Sequence, residues 1–219
     1  RKNKKQLFLI DTYFVLNRSD NHRYYGNDFD KVLLLNKEYQ LVPTFISHNI
    51  FNIYELKNLF KLFRDNKYFI KEKFLSFFDL IKIFLSIHLS IYRIKNKKLF
   101  FNNIDYSEIL QNEIKYNKNY EQSFIGLMNY FFFNNLKKKN INLNKSINWF
   151  ENQPTSKGWF LGINNFFPNS ISTGYQGFTY YPEILSIFTT NQEYLSGTSP
   201  KQITTLGNAY KNLLNEFTN

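Results

Sequence analysis

Two spacings of apolar residues alternate along this chain. Residues 6–16 (QLFLIDTYFVL), 39–46 and 171–175 are β-rich runs of strand length, and further ones lie at 98–101, 146–150 and 202–206. Pro43 marks the second run as a strand end or an edge strand, because proline has no N–H for a sheet ladder. Between the runs the spacing becomes helical. Over 53–64, Ile53, Leu56, Leu59, Phe60 and Phe63 share a face, with Lys57, Lys61 and Arg64 opposite. A short helix is predicted over 29–35, and another over 108–114 capped by Ser107. Residues 74–93 form a longer helix, apolar almost all round and therefore predicted to be covered on most sides.

The clearest helix is 122–139, where Phe124, Met128, Phe131 and Phe132 form one stripe. Its carboxyl end carries Lys137, Lys138 and Lys139, where cations suit the helix dipole. Thr155 or Ser156 is the predicted cap of a helix that carries Trp159, Phe160, Ile163 and Phe166 and stops at Pro168. Gly207-Asn208 opens a last helix through Phe217. Strands alternating with helices predict an α/β layered fold with a largely parallel sheet. Periodicity weakens over 180–200, which reads as a crossing between lobes.

Composition narrows the chemistry. The 219 residues, 43% of them hydrophobic, suffice for one large domain or a domain and a half. A mean hydropathy of −0.43 fits a water-soluble chain. There is no cysteine, and the three histidines, His22, His48 and His88, lack helical ligand spacing, so no zinc site and no resident cofactor are expected. The net charge of +11 draws attention to polyanions. The chain is also crowded with Lys, Asn, Ile, Phe and Tyr and has a single Ala, the residue usage of AT-rich codons. The basic balance alone therefore does not indicate nucleic acid. The most apolar run, 77–91, is interrupted by Asp79, Lys82 and His88. It falls short of the roughly 20 residues a spanning helix needs, so it reads as a buried helix or one lying at a membrane surface. The first residues of the chain, 1–5, are basic, but Asp11 interrupts the apolar run 7–16 and no small-residue cleavage site follows, so a secretory signal is not expected and the cytoplasm is.

Candidate chemistry gathers in residues 149–178, WFENQPTSKGWFLGINNFFPNSISTGYQGF. Two strand ends there run into polar turns, and in α/β folds ligands sit just beyond the carboxyl ends of strands. Glu151 follows two aromatic residues, where partial burial can tune a carboxyl group as a general acid or base; capping backbone amides or pairing with Lys157 is the structural alternative. Asn152, Gln153 and Gln176 donate and accept together, as sugar hydroxyls require, although amides at strand ends also satisfy loop backbone. Trp149, Trp159 and Tyr175 are stacking surfaces or core. Gly174, Gly177 and Gly207 permit close approach, but none belongs to a phosphate-binding glycine pattern. The first polar loop, 17–30, adds Arg18 as an acceptor or phosphate contact and His22 as a possible base, beside the reading that it is simply solvated.

The series Asn148-Trp149-Phe150-Glu151-Asn152-Gln153-Pro154, Lys157-Gly158-Trp159, Phe167-Pro168-Asn169 and Gly174-Tyr175-Gln176-Gly177-Phe178 resembles bacterial surface-carbohydrate biosynthesis glycosyltransferases of GT-B fold. The nearest group is that of the retaining β-Kdo transferases of lipopolysaccharide and capsule assembly. The likeness is dense over 149–178 and looser over 200–210. It implies a Rossmann-like acceptor lobe over 1–185, and over 186–219 the crossover and the start of a truncated nucleotide-sugar-binding lobe. It also implies a nucleotide-sugar donor, in that family CMP-Kdo, a glycan or lipid-linked acceptor, and catalysis without bound metal. Glu151 would be the acid/base or a hydroxyl ligand, Asn152, Gln153, Tyr175 and Gln176 would position sugars, and Lys157 would offset phosphate charge. The basic faces and the 77–91 helix would suit peripheral docking at the anionic inner leaflet. A non-catalytic carbohydrate-binding or assembly protein, and a basic nucleic-acid-binding module, are the alternatives.

Overall fold

The computed structural model describes residues 6–15, 39–47, 54, 57, 61, 68–116, 120–179 and 183–218. The expected helix over 29–35 and His48 lie outside them, and of the helix expected over 53–64 the described Tyr54, Lys57 and Lys61 are helical.

Among the described residues five strands form one sheet: β1 (Gln6–Val15), β2 (Tyr39–Ser47), β5 (Asn142–Trp149), β6 (Ile171–Gln176) and β7 (Gln202–Thr205). Their order is β2-β1-β5-β6-β7, and each neighbouring pair is parallel. A separate antiparallel hairpin joins β3 (Phe100–Phe101) to β4 (Ile104–Asp105). The helices are α1 (Phe77–Lys95), α2 (Ser107–Tyr116), α3 (Glu121–Lys138), α4 (Pro154–Phe166), α5 (Asn191–Leu195) and α6 (Asn208–Thr218). The α/β class with a parallel sheet is as the alternation of periods predicted. Pro43 sits on β2, the outermost strand of the five, and the β1–β2 register shifts beside it, between the pairs Thr12–Pro43 and Tyr13–Phe45.

The order has a topological consequence. β1 has β2 on one side and β5 on the other, so the winding reverses between β1 and β5. Residues 202–205, read from the sequence as opening a second lobe, pair with β6 from Thr173–Gln202 to Gln176–Thr205 and are the fifth strand of this sheet. Residues 183–201 accordingly form a crossover within it, carrying the short α5.

One face of the sheet carries the main core. Leu7, Leu9 and Val42 of the sheet meet Phe132, Phe133 and Leu136 of α3 and Trp159, Phe160 and Ile163 of α4. Trp159 is fully buried, stands edge-on to Phe133 at 4.9 Å and donates its Nε1 hydrogen to Ser146 Oγ at 2.9 Å. It is therefore core and not a stacking surface. The core strand β5 begins at Asn142, earlier than its alternation suggested, because Asn142, Asn144 and Lys145 leave Leu143 as the one apolar residue of its first half. α4 starts at Pro154 with Gln153 as its N-cap, so Thr155 and Ser156 lie in the first turn instead of capping it; proline's fixed φ favours that first position.

α3 and α4 cross at glycines. A Cβ on Gly158 would fall onto the Gly126 carbonyl, and one on Gly126 onto the Pro154 carbonyl. α1 differs from expectation: it is not covered on most sides. Only Asp79, Ile83 and Ile87 are buried, on the stripe packed against α3, and Phe77, Phe78, Phe84, Leu85, Leu89 and Tyr92 are exposed. Its start is fixed by a capping box in which the Ser76 amide donates to Asp79 Oδ2 (2.8 Å) and the Asp79 amide to Ser76 Oγ (3.2 Å). Asn135 of α3 also donates to Asp79 Oδ2, at 2.9 Å. No helix among the described residues is long and apolar enough to cross a membrane.

The glycine crossing yields a test. Gly158→Ala places a methyl group against backbone that cannot move away, at a cost of about 3 kcal/mol or more. Gly197→Ala is limited to strain from its positive φ of 75°, since its Cβ would meet only ordinary contacts of 3.6 Å or longer. Urea unfolding is expected to rank Gly158→Ala as the less stable of the two.

Candidate functional site

The carboxyl end of β5 lies at the reversal of winding, where crevices open in doubly wound sheets. Glu151 stands there, half-buried, with both carboxylate oxygens engaged. Trp149 Nε1 donates to Oε1 at 2.7 Å and Gln153 Nε2 to Oε2 at 2.8 Å. Trp149 ends β5, Glu151 lies in the turn that follows and Gln153 is the N-cap of α4, so the three side chains meet across that turn. Tyr175, the register partner of Trp149, meets the indole edge-on at 5.8 Å, and Phe178 lies 5.5 Å from it on another side. Gly177 lies against the rings of both Trp149 and Tyr175. The result is an aromatic wall with a carboxylate and an amide at its rim.

The remaining predicted residues sit elsewhere. Asn152 turns the chain with a left-handed backbone (φ 54°), a conformation asparagine tolerates better than most residues. Its Nδ2 donates to the carbonyls of Ser186 (3.1 Å) and Phe188 (3.0 Å), so it holds the crossover in place. Gln176 is fully buried and donates to the Ile187 carbonyl at 3.3 Å. Lys157 is paired with Glu193 at 2.5 Å. Burial would raise the Glu193 pKa, but hydrogen bonds from Lys157, the Thr190 amide and Asn152 hold it below its ordinary value. The cluster expected from the sequence thus divides: Glu151, Gln153 and Tyr175 come together, whereas Asn152, Lys157 and Gln176 tie the crossover to α4 and β6. Gly174 is covered by Phe150 and Pro200 and admits no ligand. Gly207 (φ 112°) opens α6 as expected and lines a cavity of 610 Å³ with Thr205 and Lys211. Arg18 and His22 lie outside the described residues. Among the described residues no group of three His, Asp or Glu side chains gathers as metal ligands.

A second polar group was not anticipated. Lys71, in the 3-10 turn Lys71–Phe74, is buried to 2% exposure and donates to Asn129 Oδ1 at 2.9 Å. Asn129 in turn donates to the Thr155 carbonyl at 3.0 Å. One step beyond the last β1–β5 register pair, Ile10–Ile147, the side chain of Asn148 donates to Asp11 Oδ2 at 2.6 Å. Burial lowers the Lys71 pKa below 10.5, while the charges of Glu72 and Asp11 partly restore it. Asp11 was legible as a polar residue inside an apolar strand, but nothing around Lys71 in the sequence distinguishes it from the other lysines.

The Lys71 shift fixes the sign of a pH effect. Between its folded pKa and 10.5 the unfolded chain holds more protons at this position, so its contribution to stability grows as pH rises through that window. Measured against Lys71→Met, wild type is expected to gain stability as pH is raised from neutral toward 10.5, in urea unfolding series at each pH. Asn129→Leu removes the ammonium's acceptor and the donor to Thr155, and is expected to cost about 3 kcal/mol in the same assay at neutral pH.

Compared with known proteins, no family model matches the chain, and no curated protein or solved structure matches it at a significant level.

Proposed function

We propose that the protein is the acceptor-side, Rossmann-like part of a GT-B glycosyltransferase that moves a sugar from a nucleotide-activated donor, CMP-Kdo being the first candidate, to a surface polysaccharide or lipid-linked glycan. The observation that carries this reading is the Trp149–Glu151–Gln153 set beside Tyr175 at the reversal point of a parallel sheet. Aromatic faces suit the C–H face of a sugar ring, and a carboxylate and an amide suit its hydroxyls. Glu151 is the group that takes or gives the proton in transfer, or that grips the acceptor hydroxyl. Trp149 and Gln153 hold its carboxylate in one orientation, so little rearrangement precedes reaction. Asn152, Lys157 and Gln176 contribute by fixing the crossover that borders the site.

The test, run on the full-length enzyme of which this chain is proposed to be the acceptor-side part, is release of free nucleotide from a panel of nucleotide sugars, CMP-Kdo included, in the presence of acceptor glycan. Glu151→Gln keeps the shape and removes the charge, and is expected to lower turnover by about a hundredfold or more. Tyr175→Ala is expected to raise KM for the acceptor more than it lowers kcat. Turnover untouched by Glu151→Gln removes the assigned role of Glu151. Glycan binding without turnover of any donor replaces the enzyme with a carbohydrate-binding protein.

A further inference from the structure

α1 is apolar on two opposite faces, and the interior uses only one. Asp79, Ile83 and Ile87 face α3. Residues two positions along a helix point about 200° away, and at those positions Ile81, Leu85 and Leu89 are exposed. Phe77 and Phe78 are each 73% exposed and Tyr92 68%. β3, which follows α1 in the chain, adds exposed Phe100 and Phe101, at 58% and 66%. Exposed apolar surface of this extent on a folded protein marks an interaction site.

Charge selects the occupant. From Phe77 to Phe101 the basic side chains are Lys82, Arg93, Lys95, Lys97 and Lys98, and the single carboxylate is Asp79. Asp79 is buried, held by Ser76 and Asn135. The exposed part of this stretch is therefore apolar and mostly cationic; Asp105 on β4, across the hairpin from Phe100, offsets the charge of Lys98 and leaves Lys82, Arg93, Lys95 and Lys97 in excess. A second copy of the chain docked face to face would bring its own lysines against these. An anionic lipid surface accepts both components: aromatic and aliphatic side chains enter the boundary between headgroups and acyl chains, and lysines meet phosphates.

The geometry points to α1 and β3 as a face that lies flat on an anionic phospholipid bilayer. α3 carries this face: it packs on α1 through Asn135 and Asp79, and on α4 through Gly126 and Gly158. Docking therefore holds the sheet at a set orientation to the membrane. The inference does not depend on sugar transfer, and its test contains no donor or acceptor.

The experiment is flotation of the protein with vesicles of phosphatidylcholine, with and without phosphatidylglycerol, at low and high salt. Binding is expected on the anionic vesicles only and is expected to weaken with salt. Lys97→Glu/Lys98→Glu is expected to lower the partition coefficient at least about tenfold, and Phe77→Ser/Phe78→Ser to lower it with unchanged circular dichroism. No binding, equal binding to both vesicle types, or Phe77→Ser/Phe78→Ser dissociating a dimer in analytical ultercentrifugation would overturn the proposal.

Discussion

The close approach of α3 and α4 is the constraint on which the other arrangements rest. Gly126 and Gly158 let the two backbones touch, and a side chain at either position would separate them. At that separation Asn129 reaches the carbonyl of Thr155 and the ammonium of Lys71 together. The same contact sets the first turn of α4, and with it the turn carrying Glu151. The aromatic core of Phe132, Phe133, Trp159 and Phe160 fills the space on the sheet side of the crossing.

Two polar groups result, with different physical characters. Lys71, Asn129, Asp11 and Asn148 are buried, and their worth lies in mutual satisfaction: remove one and another is left with a costly unmet charge or hydrogen bond. Glu151, Gln153, Trp149 and Tyr175 are only half-buried and hold one another at a place that solvent can reach. The first group favours a structural role and the second a chemical one, which is why the functional proposal rests on the second.

The crossover after β6 shows how amides at strand ends divide between these roles. Asn152 and Gln176 donate to carbonyls of residues 186–188, and Lys157 pairs with Glu193, itself the capping acid of α5. In sequence they look equivalent to Gln153. What separates them is position: Asn152 sits in a left-handed turn after β5 and Gln176 at the buried end of β6, whereas Gln153 is the half-buried N-cap of α4. The exposure of α1 has a different cause: an apolar helix is expected to be covered, yet only one stripe of this one meets α3.

The order of periods along the chain was enough to determine an α/β architecture with a parallel sheet, the place of Pro43 on an outer strand, and a polar turn after β5. These follow from local spacing, which a single sequence contains. Tertiary structure alone decided that residues 202–205 complete the same sheet, that Trp159 is core, that Glu151 keeps Gln153 but not Asn152 as its partner, and that Lys71 is buried. Each of these depends on which distant segments meet, and side-chain type and local spacing do not encode that pairing.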